Sequence, residues 1–266
     1  MTKKAKPMET NVETPYIMTV CSGKGGIGKS VLSANIAAEL ASDGYNTLII
    51  DADRYFPNQH LMLGIEPPVR LHEVYQNRLQ PVKAVFKIKE NLSIMADLPG
   101  SSEYTEFDPS KLIDVITSVI SDKDFDFIII DTPAGASREA LQCCSFADTI
   151  ALVVNDEPTS LLDAYGLIKL LLKYVNTEKI NLLINNVIDF EDADEISRKL
   201  NLATDKFLEL EFRVLGYVPY DRAVRQSIIR QELFINGESA TDLTRSIKTI
   251  AGHIIQKAGI EQIKES

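Results

Sequence analysis

From Tyr16 onward the chain alternates short apolar runs with longer stretches of mixed polarity. Seven runs have the length and composition of strands: 17–21 (IMTVC), 47–50 (TLII), 92–95 (LSIM), 126–130 (DFIII), 149–154 (TIALVV), 180–184 (INLLI) and 213–218 (RVLGYV). Several are apolar at every position rather than at alternate ones, the pattern of strands covered on both faces. Between them, residues 29–42, 109–120, 159–175, 192–209 and 239–258 read as helices. In the first, Val31, Leu32, Ile36, Ala37 and Leu40 fall on helical spacing. Strands alternating with helices of this length predict an α/β fold, a mostly parallel twisted sheet with helices on both faces in three α/β/α layers.

Residues 54–91 break the pattern. Pro57, Pro67, Pro68 and Pro81 fall there, and the spacing predicts only one short helix, near 71–79. With no internal repeat and no linker, one domain is expected over 16–258. A loose polar arm at 1–15 precedes it and a polar tail at 259–266 follows.

Composition narrows the function. The chain has 266 residues, 45% hydrophobic and 25% charged, which is a globular composition. Lys plus Arg is 28 and Asp plus Glu is 38, a net charge of −10 that argues against a large nucleic-acid surface. Cys21, Cys143 and Cys144 form no CxxC and no Cys/His ligand spacing, so neither a disulfide framework nor a zinc site is expected. A reducing cytoplasm fits that cysteine usage. The first 16 residues lack the apolar core of a secretory leader. No run approaches the ~18 apolar residues of a membrane span.

The strongest chemical signal is SGKGGIGKS at 22–30, which contains G-x-x-x-x-G-K-[ST] from Gly23 to Ser30. It follows an apolar strand and opens a helix, as a phosphate-binding loop requires. Gly23, Gly25, Gly26, Ile27 and Gly28 would turn backbone N–H groups toward an anion, and the helix N-terminus through Val31 adds partial positive charge. Lys29 is placed to reach the β- and γ-phosphates, and Ser30 to hold Mg²⁺ through its hydroxyl. Lys24 is an extra cation that such a loop does not need, placed to contact phosphate in its own subunit or across a dimer.

Three aspartates end apolar strands. Asp51 and Asp53 lie in LIIDAD and Asp131 in FIIIDTPAG. Ligands of open parallel sheets bind at carboxyl strand ends, so these carboxylates would meet the phosphate loop. Asp131 is the expected magnesium residue, direct or through water. Asp53 would orient the attacking water, and Asp51 would support the metal or the lysines. Gly135, in the turn after Asp131, would allow that turn to respond to the γ-phosphate.

The loop KGGIGKS, the DAD after the second strand and the later DTPAG resemble the deviant-Walker-A ATPases, the group of MinD and ParA, over about residues 17–255. DADRYFPNQHLMLG (51–64), EPTSLLDAYGLIK (157–169) and LGYVPYDRAVRQ (215–226) are similar within that group to the FlhG family (FleN, YlxH) of flagellar number and placement regulators. The resemblance implies an ATP–Mg²⁺-dependent homodimerising switch. In it, Lys24 reaches across the dimer, Asp53 is tied to hydrolysis and Asp131 is the switch aspartate. It also places Asn185 on adenine, with Pro219 and Asp221 lining the base side. Flagellar assembly or regulatory proteins are the implied partners.

Two family features differ. No stimulatory helix is visible at 1–16. At the C-terminus, Ile254, Ile255, Ala258 and Ile263 keep some helical phasing while Lys257 and Lys264 are offset by Glu261 and Glu265. A core-facing last helix and at most weak peripheral association with the inner membrane face are expected. A MinD- or ParA-type positioning ATPase, a catalytically idle nucleotide-binding scaffold and a P-loop ligase are the alternatives.

Overall fold

A computed structural model describes residues 14–76, 78–98, 110–122, 124–237 and 241–260. Residues 1–13 of the expected arm, 261–266 of the tail, and the first residues of two expected helices (109 and 239–240) lie outside the described residues.

The first half runs β1 (Tyr16–Cys21), α1 (Lys29–Ser42), β2 (Thr47–Asp51), α2 (Gln59–Met62), α3 (Leu71–Tyr75), β3 (Phe86–Lys89), β4 (Leu92–Met95), α4 (Ser110–Asp122) and β5 (Phe127–Asp131). It continues α5 (Arg138–Phe146), β6 (Thr149–Val154), α6 (Pro158–Leu171), β7 (Ile180–Val187), α7 (Phe190–Leu208), β8 (Arg213–Pro219), α8 (Arg222–Arg230) and α9 (Asp242–Lys257). The strands form one sheet in the order β3-β4-β2-β5-β1-β6-β7-β8, parallel except for β3, which pairs antiparallel to β4 at one edge. The α/β expectation holds, and all seven expected strands are present.

The order explains where a site can form. After β1 the chain crosses to β2 on one side, then returns to place β5 against β1 before adding β6 on the other. The direction of winding reverses around β1, and a crevice opens there at the carboxyl strand ends. β1, β2, β5 and β6 are buried at almost every position.

Alternation along β1 assigns its neighbours to faces. Met18 and Val20 pack with α1 and α9, Ile17 packs with α3 and α4, and Cys21 packs with α5, α6 and α7. α1 is buried nearly all round because it lies between the sheet and α9. Ala34, Ala37, Ala38 and Ala41 keep it slim enough to fit there. Phe127 is fully buried, with Tyr16 and Tyr45 edge-on to its ring at 6.1 and 5.2 Å. Removing a ring so enclosed typically costs about 3–5 kcal/mol.

Five elements differ from the sequence expectation, one of them the four-residue α2, which lies in the proline-rich region where only the helix near 71–79 was expected. α8 was not predicted: it is short and carries three arginines, and none of its residues is buried, so the apolar pair Val224 and Ile228 does not stand out from the polar residues around it. α5 is only nine residues long and starts at a Ser137 cap rather than at an apolar run. β3 alternates between half-buried and exposed positions, a weak signal inside the proline-rich region. The strand expected at 126–130 is shifted to Phe127–Asp131. The carboxylate of Asp126 instead accepts the Asn46 N–H at 2.8 Å and ties the β5 entry to the β2 entry. At the C-terminus, Ile254 and Ile255 are buried against the core, as a core-facing last helix requires.

Candidate nucleotide site

Residues 22–28 link β1 to α1 at the reversal point. Gly28 sits at the N-cap of α1 with φ +96°, and no side chain caps the helix. α5, α7, α8 and α9 each have a Ser, Asp or Thr cap. The first N–H groups of α1 therefore lack a side-chain acceptor and remain for an anion. Gly23 is required for packing. A Cβ there would lie 2.6 Å from the carbonyl oxygen of Asp163 in α6.

The loop is braced on three sides. The Ser22 hydroxyl donates to the Lys24 carbonyl at 2.7 Å. The Gly135 N–H donates to the Ser22 carbonyl at 2.8 Å, joining the turn after β5 to the loop. The side-chain amide of Asn185, from the end of β7, donates to the Ile27 carbonyl at 2.7 Å.

The two lysines have different environments. Lys29 is buried at the start of α1. Lys24 forms an ion pair with Glu157, at the N-cap of α6, and donates to the Thr159 hydroxyl at 3.2 Å. Asn155 holds the other oxygen of Glu157 at 3.0 Å. The Glu157 carboxyl is held below the usual range first by the hydrogen bond from Lys24, then by that from Asn155.

Asp51 and Asp131 are register partners at the ends of β2 and β5, and both are buried. Burial raises the pKa of Asp131, while hydrogen bonds from Ser30, Gln59 and Ser33 and the charge of Lys29 lower it. Burial and the neighbouring Asp131 raise Asp51 well above the carboxylate range. Three backbone N–H groups oppose that rise, from Asp53 at 3.1 Å, Asn58 at 2.9 Å and Gln59 at 3.0 Å. Two raised carboxylates side by side favour a cation between or beside them.

Asp53 accepts the Phe56 N–H at 3.0 Å and lines a cleft of about 670 Å³. Gly25 to Leu32 form the floor of the cleft, and Asn58, Thr132, Asn155, Asn185 and Asn186 line it with polar groups. Its apolar wall is made by Val218, Val224, Ile228 and Phe234. Pro219 and Asp221, expected on the base side, are not among the residues that line this cleft. Pro219 lines a separate hollow between β8 and α9. The Asp221 carboxylate is used to cap α8 through the Ala223 N–H at 2.8 Å. Chain direction accounts for this, because β8 delivers Val218 to the cleft and the adjacent Pro219 then faces away.

The residues fit a magnesium nucleotide. Ser30, Asp51 and Asp131 supply the hard oxygen donors that magnesium prefers. The buried oxygens Asn58 Oδ1, Gln59 Oε1 and Asn155 Oδ1 have no protein partner. Two contributors were not expected from sequence. In the sequence, Glu157 and Gln59 stand out only as members of the similar segments 157–169 and 51–64. Both act across folds of the chain, Glu157 on Lys24 and Gln59 on Asp131.

Comparison with known proteins agrees with this geometry. The ParA family model, described as NUBPL iron-transfer P-loop NTPase, matches residues 13–255. Antiactivator FleN of Pseudomonas aeruginosa is 30% identical over 237 residues, 88% of this chain and 84% of that protein. The flagellum site-determining protein YlxH of Helicobacter pylori is 24% identical over 260 residues, 96% of this chain and 87% of that protein. Among solved structures, the septum site-determining protein MinD of Pyrococcus horikoshii, in complex with Mg-ADP, superposes with a TM-score of 0.79 at 25% identity. The match covers 94% of this chain and all of that one (100%).

Proposed function

The chain belongs to the ParA family of P-loop NTPases, and from that premise we propose that it is an ATP-dependent dimerising switch that regulates flagellar number or placement. Family members are ATPases in general. The flagellar assignment draws on the likeness to FleN and YlxH. The observation that carries the switch reading is the convergence of Lys29 and Ser30, the first two residues of α1, on the buried Asp131, whose pKa both of them lower.

In this reading the N–H groups of residues 25–31 surround the phosphates and Lys29 neutralises them. Ser30, Asp51 and Asp131 hold magnesium, which neutralises charge on the phosphate oxygens. Asp53 orients the attacking water. Asn185 and Asn186 meet the base edge, against the Val218–Phe234 wall. Lys24 leaves Glu157 and meets the phosphate of a second copy. Loss of the γ-phosphate releases the 131–136 turn, and the dimer separates. Among the described residues no helix is long and apolar enough to cross a membrane. Any membrane association would be weak and peripheral, at the inner face of the cell membrane.

Calorimetric titration of ATP with and without magnesium, paired with phosphate release, tests the proposal. Binding that tightens with magnesium is expected. Asp53→Ala should cut phosphate release at least about tenfold while the ATP-dependent dimer persists. Absence of magnesium-dependent ATP affinity would overturn the reading. A parent chain that binds ATP and dimerises but releases no phosphate above background would point to an idle scaffold. Deleting the gene in its source organism should change flagellar number or position, whereas a division or partition defect alone would reassign the output.

A further inference from the structure

Gln59 opens α2 and has no exposed surface. Its side-chain nitrogen donates to the Ser30 carbonyl at 3.0 Å and to Asp131 Oδ2 at 2.9 Å. Two acceptors on that side fix the orientation of the amide, because its oxygen could face neither. Its backbone N–H donates to Asp51 Oδ2 at 3.0 Å. One residue thus touches all three residues assigned to the metal. Its own Oε1 is buried without a protein partner.

A buried amide oxygen with no donor lowers stability. An apolar side chain of the same length would avoid that cost, but it could not hold Asp131. We propose that Gln59 is a positioning residue for the magnesium site. It fixes one oxygen of Asp131 while Ser33 reaches the other at 3.3 Å. It also couples that carboxylate to the segment that follows Asp53, and its free oxygen is an open acceptor at the site. The proposal rests on the ATPase reading above and deepens it.

The test is the affinity of a fluorescent ADP analogue, measured in EDTA and across a magnesium titration, for the full chain and for Gln59→Met. Affinity in EDTA should stay within about twofold, while the magnesium concentration at half effect rises about tenfold, the usual scale for losing a metal-supporting contact. The melting temperature of the nucleotide-free chain is recorded alongside. Gln59→Leu repeats the measurement if the methionine variant does not accumulate. An unchanged magnesium requirement overturns the proposal. So does an equal loss of affinity with and without magnesium, since that marks a packing role. If the parent chain shows no magnesium effect, the ATPase reading itself fails. If the parent responds and both variants match it, only the role of Gln59 fails.

Discussion

Lys24 and Glu157 form an ion pair within a single chain, 133 positions apart in sequence. The same ammonium that the dimer model requires at a partner's phosphate is therefore already engaged at home. Both side chains remain partly exposed, at 33% and 48%, so solvent screens the attraction and exchange is easy. In the proposed dimer, breaking this pair would set a threshold for assembly. Glu157→Gln should lower the ATP concentration at half-dimerisation about two- to fivefold, the range for an exposed pair. Light scattering over an ATP series reads this directly, and an unchanged midpoint would make the pair a bystander.

Gly28 cannot accept a side chain. Its φ is +96°, and a Cβ would lie 2.5 Å from the Asn185 amide nitrogen, which holds the Ile27 carbonyl. The left-handed backbone alone costs an alanine about 1–2 kcal/mol. Gly28→Ala should lower the melting temperature and weaken ATP binding at least about tenfold, through the misplaced Asn185 as much as through the loop. Calorimetry of the variant beside Asn185→Ala would separate the two contributions.

Glu39 lies buried on α1. Burial, then the neighbouring Asp43, lift its carboxyl above the usual range, and Lys248 and Lys89 only partly offset this. The folded state therefore binds the Glu39 proton more tightly than the unfolded chain does. That contribution to stability is complete below the ordinary glutamate range and is lost as pH rises through the raised folded value. Glu39→Gln cannot ionise, so its urea midpoint should exceed that of the parent at pH 7.5. The gap should close toward pH 4. A gap of constant size would refute the linkage.

All three cysteines of the chain are buried. Burial raises the pKa of Cys143, while a hydrogen bond with Cys21 followed by burial raises that of Cys144. A thiol reagent at pH 8 should label none of them quickly in the native protein and all three after unfolding. Rapid labelling of one native thiol would show that α5 opens from the sheet.

The legible parts of the molecule are those whose signal is local. β1, β5 and β6 could be read because burial on both faces leaves them apolar at nearly every position. The phosphate loop could be read because its glycines and lysines are contiguous. α8 could not, because it is nine residues long and rich in arginine, with no buried residue to mark its apolar side. Nor could the partners of Lys24 and Asp131, since those contacts join residues 133 and 72 positions apart. Pro219 and Asp221 were placed by resemblance alone. Neither lines the cleft, whose apolar wall is formed by Val218, Val224, Ile228 and Phe234. Aspartates at strand ends were visible from sequence, but the backbone hydrogen bonds that occupy Asp51 were not.

The close seat of Gly23 on the backbone of Asp163 leaves no slack between the loop and α6. Leu162, the residue before that seat, points outward and is 69% exposed. α6 also carries Glu157 and Thr159 at its leading end. Load applied to the outer side of this one helix thus reaches the loop at Gly23 and the grip on Lys24 together. One helix therefore backs both the glycine turn and the lysine that follows it, so the geometry of the two is not independent.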